Sequence, residues 1–137
     1  MIDENRIKHT LAVAKLMKDN ATKYGLDEEE MFTLGMLHDI GYEFTDGEKH
    51  AEIGGEILKK QNYKYYKEVL YHGVPNCEYK SKALDLLNFA DMHINLKGNF
   101  VSFNERLEDI KTRRGESSPQ YINSQLIINE LRNKNFE

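Results

Sequence analysis

Apolar residues recur at intervals of three and four along almost the whole chain, and this helical period constrains the fold more than any other feature. Ile7, Leu11, Ala14, Met17 and Ala21 make one stripe, with His9, Ala12, Val13 and Leu16 beside it, and Gly25 closes the segment. A helix apolar over so wide an arc is expected at the centre of a fold. Asp27-Glu28-Glu29-Glu30 opens a second helix, with Asp27 as N-cap and Glu30 placed to reach back to it. Met31, Leu34, Leu37 and His38 share its inner face, and Gly41 stops it. Tyr42 to Lys49 reads as a loop with a turn at Asp46-Gly47. A third helix carries His50, Ile53, Gly54, Ile57 and Leu58 on one side, where Gly54-Gly55 costs helix stability and so points to close backbone packing. A fourth runs through Tyr65, Tyr66, Val69 and Leu70 to His72 and is ended by Gly73 and Pro75. The fifth aligns Leu84, Leu87, Asp91 and Ile94. Beyond Gly98, Ser102-Phe103-Asn104-Glu105 has the form of a capping box, and its helix ends near Arg114-Gly115. Ser118-Pro119 starts a last helix with Ile122, Leu126, Ile127 and Leu131 as its stripe. No strand-length alternation and no repeat interrupts this pattern. The expectation is an all-α fold, one compact bundle of about six or seven helices.

The 137 residues suit one domain with a core of its own. A net charge of −4 leaves no excess of Lys and Arg to neutralise a phosphate backbone, so nucleic acid is not expected as a partner. Cys77 is the single cysteine, which excludes an internal disulfide and suits a reducing compartment. The start Met1-Ile2-Asp3-Glu4-Asn5 lacks the basic and apolar regions of a signal peptide, and no apolar run approaches membrane-spanning length. A cytoplasmic protein without a membrane partner is the expectation; association as a homodimer is left open.

The chemistry rests on where histidines and aspartates fall. His38-Asp39 sits at the end of an apolar helix, where both side chains can converge on one point. Asp91 lies on the inner stripe of the fifth helix, and an unpaired buried carboxylate costs several kcal/mol, so a cation must compensate it. His9 is on the first helix, His50 starts the third and His72 ends the fourth. Each alone has an ordinary explanation: His9 as a hydrogen-bonded core histidine, His50 as a polar residue near a helix start, His72 as a cation at a helix C-terminus. Together, four of the five histidines and two aspartates occupy inward or terminal positions on successive helices, and these are ligand types that suit Fe, Mn, Zn or Ni.

The order His, His-Asp, His, His, Asp resembles the HD-domain superfamily of metal-dependent phosphohydrolases. Gly-Met-Leu-His-Asp-Ile-Gly at 35–41 contains the His-Asp-Ile-Gly form, His-Ala-Glu-Ile-Gly-Gly-Glu-Ile-Leu at 50–58 resembles the following segment of many bacterial members, and Ala-Asp-Met at 90–92 matches the final-aspartate segment. The resemblance spans about residues 5–95, with 99–135 as a helical C-terminal extension of the same 1–137 domain. It implies a binuclear centre: His9, His38, Asp39 and Asp91 on one metal, and Asp39, His50 and His72 on the other, with Asp39 bridging. The metals implied are Fe or Mn, with Ni, Co, Zn or Mg as alternatives. A hydroxide held at His38 and Asp39 would attack a small phosphorylated substrate, a nucleotide among the candidates. Bacterial diadenosine tetraphosphate hydrolases carry a similar six-ligand pattern.

Phosphate contacts are sought at Lys97, Arg106, Arg113, Arg114 and Tyr42, although Arg113 and Arg114 also suit a solvated helix end. The chain departs from many hydrolytic members, which carry a Lys shortly after His-Asp; here Gly41-Tyr42-Glu43 stands there, making Tyr42 and Glu43 pocket candidates. His93 is expected to be exposed or to support the ligands from behind, Cys77 to be incidental, and Tyr63, Tyr65, Tyr66 and Tyr71 to be packing. Two other readings stand beside hydrolysis: a di-iron oxygenase, since myo-inositol oxygenase has the same ligand order, and a non-catalytic metal- or nucleotide-binding regulatory domain.

Overall fold

The computed structural model describes residues 4–45 and 49–136. Seven α-helices account for most of them: α1 Glu4–Asn20, α2 Glu28–Leu37, α3 His50–Lys60, α4 Tyr66–Tyr71, α5 Lys82–His93, α6 Phe103–Arg114 and α7 Pro119–Asn133. There is no β-strand among the described residues, only an isolated antiparallel bridge between Ile94 and Phe100. No described helix is long and apolar enough to cross a membrane.

The helix starts are where short polar side chains place them. Asp27, Ser81, Ser102 and Ser118 each accept a hydrogen bond from a backbone N–H in the first turn of α2, α5, α6 and α7. Ser102 and Glu105 complete the expected reciprocal box. Glu30 does not reach back to Asp27: its carboxylate accepts from the Tyr65 hydroxyl and pairs with Lys64. A partner at the foot of α4 therefore outcompetes a local cap.

Two helix ends differ from the periodicity. α1 stops at Asn20 and continues as a 3₁₀ turn, Thr22–Tyr24, before Gly25 takes a left-handed φ of 72°. α2 stops at Leu37 rather than at Gly41, and Ile40–Glu43 forms a 3₁₀ turn that runs into the segment read as loop. The predicted turn at Asp46-Gly47 lies outside the described residues.

Two apolar clusters share α5. Val13, Met17, Met31, Leu34, Leu58, Val69, Leu86 and Leu87 are among the residues that join α1 to α5 in the larger one. Met92, Phe103, Ile127, Ile128, Leu131 and Phe136 form the smaller one, which seats α6 and α7. α1 packs on α2 and α5, α3 on α4, and α7 on α5 and α6. Tyr63, Tyr65 and Tyr66 pack against the larger cluster, and Tyr71 stacks on Tyr79, as expected of packing residues.

Two stripes are rotated from the sequence reading. Ile7 and Leu11 on α1 are exposed, while His9, Thr10, Val13, Ala14 and Met17 are buried. Ile122 and Leu126 on α7 are exposed, while Ser124, Ile127, Ile128 and Leu131 are buried. In both helices the buried arc includes polar residues, which a scan of apolar positions passes over.

Glycine decides how closely the central helices approach. A Cβ on Gly35 of α2 would lie 2.4 Å from the Ala14 Cα of α1. One on Gly55 of α3 would lie 2.7 Å from the Leu70 Cα of α4, the close packing that Gly54-Gly55 announced. Gly35→Ala is therefore expected to destabilise the chain by roughly 2–3 kcal/mol, as overpacking against rigid backbone does. Ser102→Ala should cost about 1 kcal/mol, as loss of a cap does. Urea unfolding of the two variants checks the order; equal effects would place α1 and α2 further apart than described.

Candidate metal centre and its cavity

The ends of four helices and the flank of α1 meet at one point. His9 projects from the second turn of α1, and Asp91 comes from the last turn of α5. His38 and Asp39 follow the last residue of α2. His50 is the first residue of α3, and His72 is the first residue past α4. Because α2 ends at Leu37, Asp39 leaves helical geometry (φ −105°, ψ 18°), and adjacent His38 and Asp39 point into the same space. Gly41 brings His50 there. A Cβ on Gly41 would fall 1.8 Å from the His50 carbonyl oxygen, a distance no other residue could accept.

Asp39 is the hub. Its Oδ2 lies 3.1 Å from His38 Nε2 and 3.6 Å from His9 Nε2, while its Oδ1 lies 3.5 Å from both His50 Nε2 and His72 Nε2. Asp91 Oδ1 lies 2.9 Å from His9 Nε2 and 3.6 Å from His38 Nε2. The ligand atoms of His9, His38 and Asp91 fall within 4.8 Å of one another, as do those of His38, Asp39 and His72. His9, His38, Asp39 and His72 are buried, and the His50 side chain is 21% exposed at the mouth.

The decisive feature is behind the rings. His38 Nδ1 lies 2.6 Å from the Gly35 carbonyl, His72 Nδ1 2.6 Å from the Val69 carbonyl and His9 Nδ1 3.1 Å from the Asn95 carbonyl. A carbonyl can only accept, so each Nδ1 carries the proton. In a neutral ring each Nε2 is then a lone pair facing carboxylate oxygens, which are lone pairs too. His38 Nε2 is buried with no hydrogen-bond partner. Positive charge must sit between them, either as extra protons or as a metal ion, and backbone-held imidazoles facing carboxylates are how proteins present metal ligands. The donor set therefore fits divalent cations.

The electrostatics agree. Burial is the largest influence on His38 and opposes its charge, but Asp39 and Asp91 outweigh it and lift the imidazole pKa to about 10. Burial pushes Asp39 upward, yet the neighbouring histidines, led by His38, hold it well below the usual carboxylate range. Asp91 is held down in the same way by His38 and His9.

The centre opens into a cavity of about 300 Å³. Arg6 of α1, Met92 of α5, Tyr42 of the 3₁₀ turn, and Val74 and Leu96 from the segments after α4 and α5 line it; Arg106, Ile110, Arg113 and Arg114 line it from α6, and Pro119, Gln120, Asn123 and Ser124 from α7. Tyr42 stacks on His50 with centroids 4.1 Å apart. Burial, then the Asp39 charge, raises its phenol pKa. Arg106 is buried, donates from Nε to the Asp91 carbonyl and pairs with Asp109. Burial lowers its pKa, but a guanidinium stays protonated.

This pattern is that of a known family. A model of the HD domain matches residues 6–115. The chain belongs to the HD-domain family. HD domains bind divalent metals and occur in metal-dependent phosphohydrolases. Ribonuclease Y of a Sulfurovum species is 43% identical over 61 residues, which is 43% of this chain and 12% of that protein. Ribonuclease Y of Mycoplasma capricolum is 41% identical over the same length, again 12% of that protein. An uncharacterized protein of Methanocaldococcus jannaschii is 34% identical over 68 residues, 46% of this chain and 40% of that protein. The chain thus spans about an eighth of the ribonuclease Y relatives. No solved structure matches.

All six sequence-selected ligand candidates of this HD domain converge, and four of the five candidate phosphate contacts line the cavity. Lys97 does not: it is exposed in a turn held by Asn95 Oδ1, which accepts from the Lys97 and Asn99 N–H groups. Arg113 pairs with Asp109 as a helix-end residue does, yet also lines the cavity. Glu43 is not among the lining residues. His93 is buried, not exposed: its Nδ1 donates to the Val101 carbonyl, and its ring stacks on Phe103 and Phe100. Cys77 lies in a loop, its thiol donating to the Tyr79 carbonyl.

Sequence reasoning missed Arg6, although its position three residues before His9 puts it on the same face of α1. It also missed Asn88, whose Oδ1 accepts the Gly73 N–H and pins the chain just past His72.

A chelated, metal-free preparation should show the sign of these shifts. The folded His38 pKa of about 10 lies above the ordinary 6.5, so its stabilisation is complete below pH 6.5 and is lost as pH rises toward 10. Asp39 and Asp91 are depressed, so theirs is present above about pH 3.8 and is lost as pH falls below it. Thermal melts should therefore fall between pH 7 and 10, and His38→Gln should flatten that limb; a limb unchanged in the variant would remove His38 from the account.

Proposed function

We propose that the chain is a metal-dependent phosphohydrolase that cleaves a phosphoester or phosphoanhydride of a small compound such as a nucleotide. The observation that carries this reading is the set of three Nε2 lone pairs, of His9, His38 and His72, that meet two carboxylates beside the His50 ring, at the floor of an arginine-lined cavity.

The two oxygens of Asp39 divide the ligands. Oδ2 faces His9 and His38, with Asp91 beyond them; Oδ1 faces His50 and His72. A pair of cations would be held this way, one on each side of Asp39. Fe and Mn suit the mixed imidazole and carboxylate set, and Ni, Co or Zn share those preferences. Such cations supply a water of lowered pKa and polarise phosphoryl oxygens.

The residues do the rest. Asp39 and His38 would hold a cation that activates water, and the Gly35 carbonyl keeps the His38 Nε2 turned toward Asp39. Tyr42, flat against His50, closes one side of the mouth. The guanidinium groups of Arg106, Arg113 and Arg114 put positive charge where equatorial phosphoryl oxygens need it. Val74, Leu96 and Ile110 offer an apolar wall, and Gln120 and Asn123 offer amides to an organic group. The volume suits one small ligand.

A polynucleotide end is the second reading, because relatives are named ribonuclease Y. The net charge that argues against a nucleic-acid surface does not exclude a terminal phosphate in the pocket, so RNA is a substrate to be tested.

Chelation should abolish phosphate release, and added Mn or Fe should restore it. Asp39→Ala should drop bound metal to well under half of wild type, with hydrolysis reduced by about three orders of magnitude or more. His72→Ala should keep one metal better than the other. Elemental analysis and phosphate release, on a panel from mononucleotides to short RNA, check both; full metal occupancy in Asp39→Ala would refute the bridging role. Silence across the panel by fully loaded protein, with oxygen uptake instead, would favour oxygenase chemistry.

A further inference from the structure

Four arginines line the cavity, and their commitments differ. Arg106 is buried against Asp91 and Asp109. Arg113 is paired with Asp109 from an exposed position. Arg114 is exposed at the end of α6. Arg6 is half-buried, and among its contacts is the Asp39 carboxylate: Nη1 lies 3.5 Å from Oδ2, at the long limit of a hydrogen bond. Its guanidinium carbon sits 3.8 Å over the Tyr42 ring, whose plane lies only 18° from that of His50 beneath it. Arg6, Tyr42 and His50 are therefore a three-layer stack at the edge of the metal centre.

Resting on the reading of this centre as a cation-dependent phosphate site, we propose that Arg6 joins the α6 arginines in binding the substrate's phosphoryl oxygens, turning from Asp39 to phosphate when Asp39 takes up cations. Oδ2 of Asp39 already serves His38 at 3.1 Å and His9 at 3.6 Å as well as Arg6. Once that oxygen is committed to a cation, its attraction for a third positive group falls, and an arriving phosphate replaces it as partner. Stacking on Tyr42 holds the guanidinium plane meanwhile, so its forked N–H donors stay aimed into the cavity. Gly41-Tyr42-Glu43 supplies no cation after His38-Asp39, and Arg6 supplies one from α1. An ammonium could not stand in for it: a lysine makes neither the two parallel hydrogen bonds nor the flat stack.

The test uses the whole chain loaded with Mn, with inorganic phosphate as the probe in titration calorimetry and Mn content measured alongside. Arg6→Gln should weaken phosphate binding about tenfold or more, as loss of a charged hydrogen-bond pair does. Its Mn affinity should be unchanged or higher, because a cation competing for Asp39 has been removed. A mere prop for Asp39 would do the opposite and loosen Mn. Tyr42→Leu should give a smaller loss of phosphate with Mn retained. Arg6→Lys keeps the charge and guards against misfolding of Arg6→Gln; it should recover only part of the affinity. Phosphate binding unchanged in Arg6→Gln, wild-type binding in Arg6→Lys, Mn lost along with phosphate, or no phosphate binding by the wild type would each overturn the proposal. Phosphate bound through Arg6 by a chain that hydrolyses no phosphoester would instead retire the hydrolase reading alone.

Discussion

Three imidazole nitrogens and two carboxylates that turn lone pairs toward one another cannot share a dry interior unless positive charge lies between them. Everything else in this structure is arranged around that constraint. The backbone carbonyls of Gly35, Val69 and Asn95 take the Nδ1 protons and so decide which nitrogen faces inward. His38, with its inner nitrogen otherwise partnerless, shows the demand most clearly. Its raised pKa is the response of the metal-free centre: two carboxylates draw a proton into a place where burial alone would expel it. A metal ion answers the same demand without it.

Helix ends are what make such a cluster possible. A residue inside a helix projects in a direction set by its neighbours, but one at a terminus can be aimed by the turn that follows. His38, Asp39, His50 and His72 all sit at such places. The turn between α2 and α3 comes so close to α3 that only glycine fits at position 41. α5 then links the two halves of the molecule. One side of it joins the larger apolar cluster, the other seats α6 and α7, and Asp91 stands where the two meet. The helices beyond residue 100 are thus more than an appendage, because they supply three of the cavity's four arginines and its amides.

The ligand candidates were legible in the sequence because they break a rule. Histidine and aspartate on otherwise apolar arcs need a partner, and six of them spread over five helices need the same one. The caps at Asp27, Ser102 and Ser118 were legible for a local reason, since the groups that meet are three residues apart. The failures share the opposite cause. Glu30 met Tyr65, 35 positions away, instead of its own cap. The inner faces of α1 and α7 take in Thr10 and Ser124, which a pattern of apolar positions leaves out. His93 found a place among Phe89, Phe100 and Phe103 that no periodicity announces. Lys97 was tied into a small turn by Asn95 and directed to solvent.

By itself, then, the order of residues determined the helical class, the helix starts and the identity of the ligand candidates, since those depend on propensity, capping and the cost of burying charge. Only the tertiary structure decided which oxygen of Asp39 faces which histidines, that Arg6 and Tyr42 stack at the mouth, and that α7 walls the cavity. Those are relations between groups far apart in the chain, and they exist only after helices have packed at distances set by Gly35, Gly41 and Gly55. A pattern along a chain carries the chemistry of each residue; it does not carry the direction in which a neighbouring helix will hold it.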